Sequence, residues 1–175
     1  MISVKTLLRI FILLSILYLC CILFNSATLV LYLKPLLLAP LMAAVFISKN
    51  LKNKIILFVA LIFSWIGDTL LLFVFKDPIY FMLGLAAFLT AHIFYIVLFV
   101  KELKKANGKI EFKKTGLISI AIYLSAMLLV LIPHLGGLAI PVIIYAITIS
   151  IILYMAYLLT CLHLSFNRSY FIYSF

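Results

Sequence analysis

The chain has 175 residues, of which 69% are hydrophobic and only 10% charged. A soluble domain is roughly half apolar and about a quarter charged, so this sequence holds too little polar surface to face water on all sides, and its apolar excess must face lipid. The formal net charge of +10 excludes little by itself, but the basic residues lie in short clusters between apolar runs and form no nucleic-acid recognition motif.

Six stretches approach the about 20 apolar residues that a helix needs to cross the hydrocarbon core. The first, 7–24, has Lys5 just before it and Arg9 at its start and so imitates a secretory signal. It is longer than a signal core, and bulky Leu19 directly precedes Cys20, which predicts a retained helix instead. The second, 29–47, carries Lys34-Pro35, and the third, 55–75, carries Asp68. A tight Lys76-Asp77-Pro78 connector leads to the fourth, 79–100, which carries His92. The polar connector Lys101 to Lys114 precedes the fifth, 115–132, and Pro133 to Gly137 precede the sixth, 138–162. Lipid cannot satisfy backbone polar groups, and no alternating barrel pattern occurs, so these stretches are helices. The expected fold is an all-α polytopic transmembrane bundle of about six spans, one integral membrane domain over 1–175.

Counting lysines and arginines on alternate sides orients the bundle. Twelve fall on one side (Lys5, Arg9, Lys49, Lys52, Lys54, the six lysines of 101–114, and Arg168), whereas Lys76 alone falls on the other. That asymmetry predicts cytosolic termini, with the basic loops held against anionic headgroups. Cys20, Cys21 and Cys161 have no metal-site spacing and read as small packing residues. No metal, no cofactor and no nucleic-acid partner are expected.

The informative residues are those that cost energy in lipid. Asp68 is the one acid well inside a predicted helix, and Lys34 is the second unexpected charge. Both fall about 7–12 Å from the same end of their helices at 1.5 Å per residue. They can therefore pair, although Lys34 is also placed to snorkel to the interface. Across the three-residue connector His92 lies about 8 Å deeper than Asp68 by helical rise, at the far end of the same small polar region. A buried Asp and His together suit acid–base work, and equally an interhelical anchor or a proton relay. Ser64, one turn before Asp68, is placed to hydrogen-bond it. Tyr123, Ser125, Tyr145 and Thr148 add weaker polar groups. Gly84, Ala87 and Ala91 form a small-residue stripe for close helix packing.

Several segments, taken in order, resemble one family. They are Lys34-Pro35-Leu36, then Phe63-Ser64-x-x-Gly67-Asp68-x-Leu70-Leu71, then Phe81-x-x-Gly84-Leu85-x-x-Phe88-x-x-x-His92-x-x-Tyr95, and finally Tyr145 with Met155-Ala156. Over roughly residues 30–160 the chain resembles the YhhN family, whose animal members include the lysoplasmalogenases. The resemblance implies a membrane lipid hydrolase that cleaves the vinyl-ether bond of a lysophospholipid to a fatty aldehyde and a glycerophospho-base. It implies Asp68 and His92 as catalytic residues, and Lys34, Ser64, Tyr95 and Tyr145 at the substrate. For a prokaryotic chain the expected home is the bacterial cytoplasmic membrane.

After Thr160 the sequence departs from the family pattern. Family members continue with a Gly-Ala…Ser-Asp segment bearing a second buried aspartate, whereas this chain runs Thr160-Cys161-Leu162-His163-Leu164-Ser165 and on to Phe175. The expectation is a truncated or divergent C-terminus, which keeps a catalytically impaired relative as one alternative. A small-molecule transporter is the other, although no repeat or paired broken helices signal alternating access.

Overall fold

The computed structural model describes residues 3–24, 26–49, 51, 53–105 and 113–173, with backbone only at 27–28 and 163–173. Lys52, residues 106–112 of the long connector and the Arg168 side chain, all used in the charge count, lie outside the described residues. The regular elements are α1 (Val4–Leu23), α2 (Ala27–Ile47), α3 (Lys54–Leu71), α4 (Ile79–Lys105), α5 (Lys114–Leu135), a short 3-10 helix (Gly136–Leu138) and α6 (Ala139–Tyr173). Among the described residues five runs are long and apolar enough to cross a membrane: 4–23, 29–47, 54–71, 79–105 and 114–162. The last passes through α5, the 3-10 helix and α6.

The burial pattern is that of a membrane protein. The core consists mainly of small or medium residues (Cys21, Ala44, Val45, Ala60, Ala87, Ala91, Ala146), while large apolar side chains such as Leu23 and Leu129 are 81% and 76% exposed. In water such an arrangement would be inverted; in lipid, close packing rather than apolar burial holds helices together. The chain is an integral membrane protein, divided into two compact units, Met1–Phe94 and Tyr95–Phe175.

In the first unit Ser3 caps α1 by accepting the Lys5 N–H at 3.2 Å, and three residues connect α1 to α2, against which it packs. Asn53 takes the left-handed conformation (φ 61°) that turns the chain into α3, a conformation asparagine tolerates better than most residues. The α2–α3 pair is antiparallel: the Phe46 and Phe58 rings lie 6.0 Å apart, and the Lys54 ammonium donates to the Phe46 carbonyl. α3 ends at Leu71 rather than at 75, because the following residues tighten into three-residue turns. Leu72 N–H donates to Thr69 (3.2 Å), Phe73 N–H to Leu70 (3.0 Å) and Lys76 N–H to Phe73 (2.9 Å). The Asp77 carboxylate then accepts the Ile79 N–H at 2.8 Å and starts α4, with Pro78 needing no such bond.

α4 runs to Lys105, five residues past its expected end. Lys101 to Lys105 are good helix formers, Lys105 donates to Glu102 at 2.6 Å, and the terminal lysines suit the helix dipole. In the second unit α5 continues through Pro133 and stops at Leu135. Gly136, at φ +50°, makes the reversal, inside the expected Pro133 to Gly137 connector. α5 and α6 then lie against each other: a Cβ built on Gly116 would meet Tyr157 Cε1 at 2.3 Å, so only glycine admits the ring there.

Candidate active site

Three interhelical contacts in the first unit place its polar residues. Lys34 Nζ on α2 lies 3.8 Å from Asp68 Oδ1 on α3. The Trp65 indole, one turn earlier on α3, donates to the carbonyl of Pro35 at 2.9 Å. Gly67, beside Asp68, is pressed against α4: a Cβ there would meet Phe88 Cδ2 at 2.8 Å, and one on Gly84 would meet Leu71 Cδ2 at 2.9 Å and the Gly67 carbonyl at 3.4 Å. Asp68 and Trp65 thus face α2, while Gly67 faces α4.

Sequence explains this locally. Pro35 and Pro40 lie inside α2, and each removes one backbone donor from the helix ladder. Trp65, the one tryptophan in the chain, donates from the neighbouring helix to the Pro35 carbonyl, which lies between the Leu31 and Leu36 carbonyls that the two prolines leave without a helical donor. The sequence reading gave Trp65 no role; its signal was a lone indole one turn from an intramembrane acid. On α4 the stripe Gly84, Ala87 and Ala91 is buried, with Ala91 at 0% exposure, as small-residue spacing predicts.

The α3–α4 register follows from two pairs. Gly67 meets Phe88, and the Phe63 and Phe94 rings stack 6.0 Å apart. His92 is therefore level with about residue 64, one turn or roughly 6 Å along the axis from Asp68 at 1.5 Å per residue. Its Nδ1 lies 2.5 Å from the Phe88 carbonyl. A carbonyl only accepts, so Nδ1 carries the hydrogen, and in the neutral ring Nε2 carries the lone pair. Ser64 lies at the same level on α3.

Lys34 and Asp68 are 23% and 24% exposed. At an effective dielectric of about 20, two charges at this separation attract by about 4 kcal/mol, and removing each ion from water costs several kcal/mol. The cost of desolvating two ions at least offsets the attraction, so the pair adds little net stability. The 3.8 Å separation also exceeds a hydrogen bond, and among the described residues Asp68 accepts no hydrogen bond from protein. The carboxylate has an ionic neighbour and no fixed donor.

The YhhN family profile matches residues 29–172. The chain belongs to the YhhN family. The matched region contains Lys34, Ser64, Asp68, His92, Tyr95 and Tyr145, and it runs to residue 172, so the family profile also covers the segment after Thr160 that was expected to depart from it. No curated protein and no solved structure matches this YhhN-family chain.

Of the candidate residues in this YhhN-family protein, Lys34, Ser64, Asp68 and His92 all lie in the first unit, within about two turns of one another along the axis. Tyr95 and Tyr145 lie in the second unit, both half-buried and both engaged in polar or ring interactions. Two weaker candidates take other roles: Thr148 donates its hydroxyl to the Ile144 carbonyl of its own helix at 2.8 Å, and Tyr123 is 64% exposed. Among the described residues no group of histidine, cysteine and carboxylate side chains could hold a metal ion.

Proposed function

We propose that this protein is a membrane lipid hydrolase of lysoplasmalogenase type, crossing the bilayer six times with both termini cytosolic. One observation carries the activity: an intramembrane carboxyl on α3 adjoins a lysine on α2, with an oriented histidine one turn away on α4, all inside the region matched to the family. The α5–α6 fold-back at Gly136 supports the sixth crossing, since a straight helix over 114–162 would run about 70 Å at 1.5 Å per residue, more than twice the hydrocarbon thickness.

The chemistry follows from the residue types. Vinyl-ether cleavage begins with transfer of a proton to the alkene carbon distal to the ether oxygen, leaving an oxocarbenium ion. A low-dielectric site favours a neutral carboxyl in general, and the Asp68 carboxyl donates that proton. Water adds to the carbon attached to the ether oxygen, giving up its proton to His92 Nε2. The resulting hemiacetal collapses, the glycerol oxygen leaves with a proton, and the products are a fatty aldehyde and a glycerophospho-base. The substrate is a single-chain lysophospholipid whose chain lies in apolar space among the helices. Tyr95 and Tyr145 are assigned to substrate binding through their positions in the family motifs. In a prokaryote the site would operate in the cytoplasmic membrane.

Incubating the purified full chain with a lysoplasmalogen and following aldehyde release tests the proposal. Release that disappears in Asp68→Asn is the expected result. An inactive native chain that is folded and binds the lipid would identify an impaired family member, and proton-coupled solute uptake that requires Asp68 would identify a transporter.

A further inference from the structure

As long as Asp68 is the anionic partner of Lys34, it has no proton to give, so the hydrolase proposal needs a step that separates the two. We infer that Lys34 is a receiver for the phosphate of a single-chain phospholipid, held in waiting by Asp68, and that transfer of its ammonium from carboxylate to phosphate leaves the Asp68 carboxylate without its counter-ion, so that it takes up a proton from solvent and, as the neutral acid, donates that proton to the alkene carbon. The acid step of this inference rests on the hydrolase proposal; the phosphate site does not.

Four observations support it. First, the pair is loose: 3.8 Å exceeds hydrogen-bond distance, and no other protein donor among the described residues holds the carboxylate. An ammonium so placed gains a direct charge-assisted bond by moving to a phosphate oxygen. Second, both side chains retain roughly a quarter of their surface open, so an incoming group can reach them. Third, the position is right for a headgroup. Lys34 lies seven residues into α2, about 10 Å from the helix start, and a lysine stem spans much of that depth. Fourth, the same end of the unit carries Lys76, exposed and 4.9 Å above the Phe73 ring. The α2–α3 register places Leu71, where α3 ends, about one turn from the start of α2, and Lys76 lies in the turns beyond it. An anion entering there meets Lys76 first and Lys34 about two turns deeper. The remaining acid at this end, Asp77, is occupied with the Ile79 N–H.

The exchange also has a built-in reporter. Trp65 donates to the carbonyl of Pro35, the residue after Lys34, and no other tryptophan contributes to the fluorescence. Movement of Lys34 away from Asp68 therefore changes the environment of a single fluorophore.

The test is Trp65 fluorescence titration of the full chain in maltoside micelles with three probes. They are hexadecylphosphocholine, which has a phosphodiester and no vinyl ether; monohexadecanoylglycerol, its uncharged counterpart; and inorganic phosphate. The expected result is saturable quenching or shift with the phosphocholine lipid alone. Lys34→Gln weakens that binding by about tenfold, the scale of one charge-assisted contact, and Lys34→Arg restores it. Asp68→Asn strengthens binding severalfold, because Lys34 no longer has a competing partner; a merely structural salt bridge would not give that gain. Equal response to the uncharged lipid, or unchanged phosphocholine binding in both Lys34→Gln and Asp68→Asn, would overturn the inference. An equal response to inorganic phosphate would overturn its lipid part. Because the probes cannot be hydrolysed at a vinyl ether, binding as expected alongside absent aldehyde release would sink the hydrolase proposal and leave the phosphate site standing.

Discussion

Replacing Gly67 by alanine places a methyl carbon 2.8 Å from two atoms of the Phe88 ring. Carbon atoms in ordinary contact are about 3.5–4.0 Å apart, so the ring or the helix must retreat by roughly 0.7 Å. Overpacking of this kind costs about 1–3 kcal/mol, while alanine returns about 1 kcal/mol of helix propensity. A net loss of about 1 kcal/mol is the expected outcome. Gly137→Ala is the matched control, since a Cβ at that glycine meets nothing within 4 Å. Unfolding by SDS titration in micelles, followed by circular dichroism, measures both variants. The Phe88→Ala background should abolish the Gly67→Ala loss, because the clash partner is gone. Activity should fall further than stability, since the displaced residue carries the carbonyl that orients His92. Gly67→Ala as stable as Gly137→Ala, or equally harmful with and without the Phe88 ring, would show that α3 and α4 do not meet at this point.

Other expectations follow from the same geometry. His92→Gln should lower the rate of aldehyde release by about 10²–10⁴-fold, the usual contribution of a general base, with little change in unfolding; retained turnover would remove His92 from the mechanism. Trp65→Phe deletes the donor to Pro35 and should cost about 0.5–1.5 kcal/mol, and an unchanged unfolding midpoint would show that bond to be dispensable. For topology, in a background without the native cysteines, Lys76→Cys and Gly137→Cys should both label with an impermeant thiol reagent added from outside intact cells, and Lys101→Cys only after lysis. Gly137→Cys labelling only after lysis would eliminate the sixth crossing.

Much of the site could be read from the chain because its parts are anomalies. A carboxylate, a lysine and a histidine stand out against 69% apolar residues, and helical rise alone put Lys34 and Asp68 at matching depth. The 3.8 Å approach agrees with that count. The helix ends were less legible. Leu72 to Phe75 are apolar and read as more helix, yet with Lys76 they form tight turns because the chain must double back onto α4. Pro133 looked like the stop of α5, yet a proline in the last turn loses only one bond, and Gly136 makes the turn.

The sequence by itself determined that the chain is built of helices apolar enough for lipid and which polar residues are anomalous there, because these depend on local composition and on the cost of unsatisfied polar groups in hydrocarbon. Only the tertiary structure decided which helix each polar group faces. Gly67 against Phe88 sets the α3–α4 register, Trp65 ties α3 to Pro35 on α2, and together they turn Asp68 toward Lys34. Such facing depends on the shapes of side chains distant in sequence, which no periodicity within one helix encodes.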